Sequence, residues 1–142
     1  MKKIAIGSDH GGYILKGKII TYLEGLGFEV NDFGTNSFDS VDYPIIAKKV
    51  CDSIVINENE LGILICGTGL GMSIAANKIK GIRAIACSET CSARFSRAHN
   101  DANVLCFGER IVGEELAKDI CKIWLETDFE KGRHKTRVDM LE

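Results

Sequence analysis

Residues 62–73 read GILICGTGLGMS, an apolar run that ends at Cys66 and breaks at once into glycines 67, 69 and 71. A run apolar at nearly every position suits a strand buried on both faces, the condition of a parallel sheet covered by helices on each side. The glycines then mark the turn from the strand's carboxyl end into a helix over 71–79. Outward from this stretch the same alternation recurs. Runs rich in Ile, Val, Leu and Phe occupy Lys3–Ser8, Phe28–Phe33, Leu61–Cys66, Ile82–Cys87 and Asn103–Phe107. Between them, Tyr13–Leu26 carries Leu15, Ile19, Tyr22, Leu23 and Leu26 on one helical face, with Gly27 placed to cap its end. Pro44 suits the first turn of a helix with Ile46, Val50 and Ile54 turned inward. Glu89–Ala98 and Gly113–Glu126 complete the set, the last predicted to bury Leu116, Ile120, Ile123 and Trp124. The pattern predicts an α/β fold: a three-layer α/β/α, Rossmann-like, doubly wound sheet of five parallel strands. One domain is expected over 1–142, with the polar, basic stretch 129–142, FEKGRHKTRVDMLE, as a C-terminal arm.

Composition narrows the partners. The 142 residues carry 18 Lys and Arg against 20 Asp and Glu, with no long basic cluster, so nothing forms an electrostatic footprint for nucleic acid. No segment approaches a membrane span, and the apolar stretch after the two N-terminal lysines is too short for a signal peptide. A cytoplasmic protein is expected, acting on small molecules or other proteins. Six cysteines (51, 66, 87, 91, 106 and 121) fall mostly in strands or on apolar helix faces, which reads as reduced core thiols. A disulfide or metal at Cys87 and Cys91 stays open as an alternative, although no second pair completes a zinc site.

In open α/β sheets, ligands bind beyond the carboxyl ends of the strands. The first strand delivers Ser8-Asp9-His10-Gly11-Gly12 there, and the third delivers Cys66-Gly67-Thr68-Gly69-Leu70-Gly71. The second loop fits neither G-x-G-x-x-G nor a P-loop, because Met72 and Ile74 stand where glycine is needed and no G-K-[ST] follows. What remains is a run of backbone N–H groups leading into a helix, suited to a small anion or a developing oxyanion. Two readings of Cys66 stand side by side. It is either a thiol at the mouth of that cradle, favoured as thiolate by the helix terminus and by a hydrogen bond from Thr68, or a buried cysteine ending a strand. His99 shares a helix face with Cys91, Phe95 and Ala98, which also describes a core-edge histidine. Its helix runs antiparallel to the strands and ends near their amino edge, so action at Cys66 would need a neighbouring subunit. Arg133 and Arg137, four apart, can project from one side of a helix and grip a phosphate, or belong to a solvated basic arm.

Taken together, S-D-H-G-G, D-Y-P, I-C-G-T-G-L-G-M-S, R-A-H-N-D-A-N and the closing G-R-H-x-x-R resemble the type B ribose-5-phosphate isomerases, a family shared with the galactose-6-phosphate isomerase subunits. The resemblance spans essentially the whole chain. It implies interconversion of ribose 5-phosphate and ribulose 5-phosphate in the pentose phosphate pathway, with neither metal nor organic cofactor. It makes Cys66 the base that moves a proton between C1 and C2, and the backbone of Gly67, Thr68, Gly69, Leu70 and Gly71 the hole for the enediolate. His99 corresponds to the group that opens the sugar ring, with Asn100 beside it. Asp9, His10 and Tyr43 fall on the sugar or its phosphate, and Arg110, Arg133 and Arg137 on substrate. Dimers or tetramers with sites shared between subunits are implied. Ser73 is a supporting candidate. Two other functions remain open at this point: an isomerase of six-carbon sugar phosphates such as those of allose or galactose, and a non-catalytic sugar-phosphate sensor.

Overall fold

The computed structural model describes residues 2–141. Its strands are β1 (Lys3–Ser8), β2 (Glu29–Asp32), β3 (Leu61–Cys66), β4 (Ala84–Ala86) and β5 (Val104–Gly108). The helices are α1 (Tyr13–Gly25), α2 (Tyr43–Val55), α3 (Leu70–Ala76), α4 (Thr90–Ala98), α5 (Glu114–Glu126) and α6 (Arg133–Asp139), with a short 3-10 turn over His10–Gly12. All strand pairs are parallel, as the doubly wound reading anticipates, and the structure sets their order as β2-β1-β3-β5-β4. Among the described residues, no helix is long and apolar enough to cross a membrane.

Alternation within each strand builds two cores. Ile4, Ile6, Ile63, Ile65, Leu105 and Phe107 meet α1, α4 and α5 on one face. Ala5, Leu64, Cys66, Val104 and Cys106 meet α2 and α3 on the other. Since both faces are covered, the central strands read as continuous apolar runs in the sequence. Burial of each large aliphatic side chain contributes about 1.5–3 kcal/mol, so the sheet is a rigid platform for whatever stands on its edge.

The helix ends follow local chemistry. Gly27 takes φ +96°, and the amides of Gly27 and Phe28 donate back to Glu24 O and Leu23 O, closing α1 as the sequence predicts. Pro44 occupies the first turn of α2. Differences from expectation lie at the margins. Leu26 and Leu116 are exposed rather than buried. Leu26 has passed the last turn of α1, and α5 turns Ala117, Ile120, Cys121, Trp124 and Leu125 inward, a stripe that excludes position 116. Helix α3 stops at Ala76, three residues short of Ile79, and Cys91 faces solvent instead of the core. All six cysteines are free thiols.

Candidate active site

Cys66 ends β3 with its side chain on the α2/α3 face, and its Cα pairs with Gly108 across the β3–β5 ladder. The chain then turns tightly over β5. Gly69 adopts φ +83°, where a methyl group would lie 2.7 Å from Phe107 Cα, so only glycine fits this bend. That left-handed turn aims the Gly69 N–H back at the thiol, and it donates to Cys66 Sγ at 3.1 Å. Thr68 does not take the part its spacing suggests. Its side chain points outward, is exposed, and accepts the Leu70 N–H at 3.3 Å, so the donor to sulfur is a backbone amide. A donor so placed complements negative charge on the sulfur.

Other strand ends converge on the same loop. Asp9 Oδ1 accepts the Gly11 N–H at 2.9 Å and shapes the turn after β1, while His10 Nδ1 accepts the Val41 N–H at 3.2 Å. A side chain on Gly11 would come within 3.4 Å of Gly67 N, so the two turns abut. Arg110, just after β5, donates its amide to Gly67 O at 3.0 Å and lays its side chain along Gly67. Tyr43 opens α2 with its ring close enough to Gly71 that a methyl there would sit 2.9 Å from it. The carboxyl edge thus gathers Asp9, His10, Tyr43, Arg110 and the 66–71 loop. Beside it lies a cleft of about 230 Å³ between Thr68, Cys87 and Ile111. A larger hollow of about 600 Å³ opens at the amino edge, around Lys2, Leu61 and Asn103, and its lining includes neither Cys66 nor His99. The chemistry favours the smaller cleft.

Sequence reasoning missed Glu109, whose Oε1 accepts the Leu15 N–H at 2.7 Å. The carboxylate satisfies a free amide in the first turn of α1 and ties that helix to the loop bearing Arg110. Its only sequence signal is an acid at a strand end.

His99, Asn100, Arg133 and Arg137 stand elsewhere. Helix α4 descends toward the amino edge over about 14 Å, and Arg83, just before β4, hydrogen-bonds Asn103 and the Asp101 carbonyl there. His99 is the C-cap of α4. Buried Trp124 secures α4 to α5 by donating its indole N–H to Ser96 Oγ at 3.1 Å. The arm folds back on this corner. The Glu130 N–H donates to Ala98 O at 2.9 Å, and Val138 anchors α6. His134 stacks on His99 with centroids 4.1 Å apart and planes 8° from parallel. Glu130 Oε1 lies 3.6 Å from His99 Nε2 and 3.5 Å from His134 Nε2. Desolvation, then neighbouring His99 and Arg133, pushes His134 below the ordinary histidine range. Arg133 and Arg137 share the exposed surface of α6.

The ligand atoms of His99, Glu130 and His134 lie within 4.8 Å of one another. An ion binds an imidazole in the ring plane, however, and two stacked parallel rings share no such point, so one would have to rotate before both could ligate. Of the remaining thiols, Cys91 is exposed and the other four are held protonated by their surroundings. Burial raises Cys51 to about 12 and Cys87 to about 11, and it drives Cys106 and Cys121 up as well.

The fold and these loops define a class: a doubly wound α/β protein whose carboxyl edge holds a buried strand-end thiol, 6% exposed, under an amide-rich turn with Asp9, His10, Tyr43 and Arg110 around it. Comparison with known proteins narrows it. The chain belongs to the Ribose/Galactose Isomerase family, whose model matches residues 4–141. It is 55% identical over 141 residues to ribose-5-phosphate isomerase B of Escherichia coli K12, covering 99% of this chain and 95% of that one. The solved ribose-5-phosphate isomerase B of Clostridium thermocellum superposes with a TM-score of 0.97 at 55% identity, covering 98% of this chain and 94% of that one. That of Thermotoga maritima gives 0.96 at 53% identity, covering 99% and 97%.

Proposed function

We propose that this chain interconverts D-ribose 5-phosphate and D-ribulose 5-phosphate, with Cys66 as the base. The observation that carries the reading is the Cys66 sulfur held under the Gly69 amide, at the sheet edge where ligands of this fold bind. The thiolate takes the C2 proton of the open-chain aldose and returns it to C1, while the C2 hydroxyl proton passes to the C1 oxygen, which leaves the ketone at C2. Negative charge moves meanwhile to the carbonyl oxygen, where amides of the 67–71 loop receive it. Asp9, His10, Tyr43 and Arg110 hold the sugar against the loop.

His99 opens the ring, Asn100 steadies the substrate, and Arg133 and Arg137 clamp the phosphate. Because these four lie toward the opposite edge from Cys66 within one chain, a complete site takes them from a second copy. A homodimer or homotetramer with shared sites is the assembly this reading requires, and six unbridged thiols support a reducing, cytoplasmic setting.

The test is turnover of ribose 5-phosphate against allose and galactose 6-phosphates, with a chelator present, for the wild type and Cys66→Ala. Loss of ribose 5-phosphate turnover in a folded Cys66→Ala protein supports the assignment, and near-normal turnover removes the thiol from it. Faster turnover of a six-carbon substrate would move the proposal to that sugar.

A further inference from the structure

Between β2 and α2 the chain runs through residues 33–42 without regular secondary structure, carrying Phe38 at 68% exposure. Such a segment would ordinarily be loose, yet it is held at four places. Its start extends the β1 edge: the Ser8 N–H donates to Gly34 O and the Thr35 N–H to Ser8 O, both at 2.7 Å. The first turn of α1 holds it twice. Phe38 meets the Tyr13 ring edge-on at 5.1 Å, and Lys16, only 2% exposed, reaches Asp32 Oδ1 and Oδ2 at 2.7 and 2.8 Å and Asn36 Oδ1 at 3.2 Å. Asp32 Oδ1 also accepts the Gly34 N–H at 2.8 Å. The segment's far end delivers the Val41 N–H to His10 Nδ1.

The last contact has a chemical consequence. A neutral imidazole carries one proton, and a ring nitrogen that accepts a hydrogen bond cannot bear it. With Nδ1 accepting from Val41, the His10 proton sits on Nε2, which is left as a donor. Lys16 has three ammonium protons and three acceptor atoms, two on the strand end and one inside the segment. An ammonium so buried, with every proton committed, fixes both groups in one geometry. Tyr13 and Lys16 lie three apart on α1, so one helical turn sets the register of the whole segment.

We propose that Lys16 is a positioning residue: by clamping Asp32 and Asn36 it holds residues 33–42 so that Val41 fixes the tautomer of His10, which then offers its Nε2–H to a substrate oxygen. This rests on the reading of the turn after β1 as part of the substrate site. The sequence carries a faint trace of it, since Lys16 falls on the inward stripe with Ile19 and Leu23.

The experiment compares wild type, Lys16→Met, His10→Ala and the double variant, by nitrogen-15 NMR of the histidine rings without substrate and by turnover of ribose 5-phosphate. In the wild type, His10 shows the Nε2–H pattern, and Lys16→Met converts it to averaged tautomers. The same replacement lowers kcat/KM about tenfold, the rate equivalent of one neutral hydrogen bond, but changes it less than about twofold when His10 is already Ala. Should Lys16→Met fail to fold, Phe38→Ala removes an exposed ring and loosens the same segment, shifting the His10 signals in the same direction. An unchanged His10 spectrum in whichever of these variants folds overturns the proposal, as does an equal loss of kcat/KM with and without His10. The NMR readout needs no turnover, so an inactive wild type would refute the isomerase reading while leaving the clamp tested.

Discussion

Gly108→Ala probes the site through its support, since residue 108 touches no proposed substrate atom directly. A methyl group there would lie 2.3 Å from Thr68 Cα, 2.4 Å from Thr68 C and 2.5 Å from Gly67 O. Ordinary carbon–carbon contact begins at about 3.5 Å, so the 67–69 backbone must retreat by about 1 Å. The obstructing atoms are backbone on both sides, so no side chain can rotate to relieve the clash. Overpacking of this kind costs about 1–3 kcal/mol of stability. Misplacement of catalytic groups by 1 Å can cost about 100-fold in rate. Urea denaturation and steady-state turnover of ribose 5-phosphate should therefore show a moderate drop in stability and a kcat lower by about 10- to 100-fold, with the larger effect on turnover. Gly17→Ala is the matched control: nothing lies within 4 Å of the added methyl, and the position is interior to α1. It should stabilise by about 0.5–1 kcal/mol and leave kcat unchanged. Wild-type stability and turnover in Gly108→Ala would refute the close-approach reasoning.

Arg137→Ala should raise KM for ribose 5-phosphate by about 10- to 100-fold, as loss of a charge-assisted contact to phosphate does, with a smaller change in kcat; an unchanged KM removes it from the clamp. Brief alkylation at pH 7.5 followed by mass spectrometry should label exposed Cys91 first and Cys87 slowly, because burial holds that thiol up to about 11, while Cys51, Cys106 and Cys121 react only on unfolding. His134 is depressed in the folded chain, so the unfolded chain binds the proton more readily and stability declines as pH falls below about 6.5. Urea denaturation at pH 7.5 and pH 5.5 should show a smaller acid loss for His134→Gln, and an identical loss would exclude His134 as a source of it.

What could be read from the chain followed from where each interaction is encoded. Apolar runs at β1, β3 and β5 announce strands because both sheet faces are covered. Gly27 and Pro44 mark helix ends through backbone chemistry confined to neighbouring residues. The direction of α4 placed His99 toward the amino edge by geometry alone. Glycines 67, 69 and 71 signalled a close turn, yet which donor would reach the sulfur depended on the φ of Gly69, and spacing pointed to the Thr68 hydroxyl instead.

Other features depended on residues far apart in the chain being brought into register. No periodicity predicts the order β2-β1-β3-β5-β4, and that order sets Cys66 opposite Gly108. Glu109 reaches Leu15 across 94 positions, and Lys16 reaches Asp32 and Asn36 from another element. The sequence by itself determined the alternation of strands and helices and the loops that carry the reactive groups, because those are local matters of burial and backbone preference. Only the tertiary structure decided which polar groups meet, since a long-range hydrogen bond becomes available only after the cores on both faces have set the strands in place.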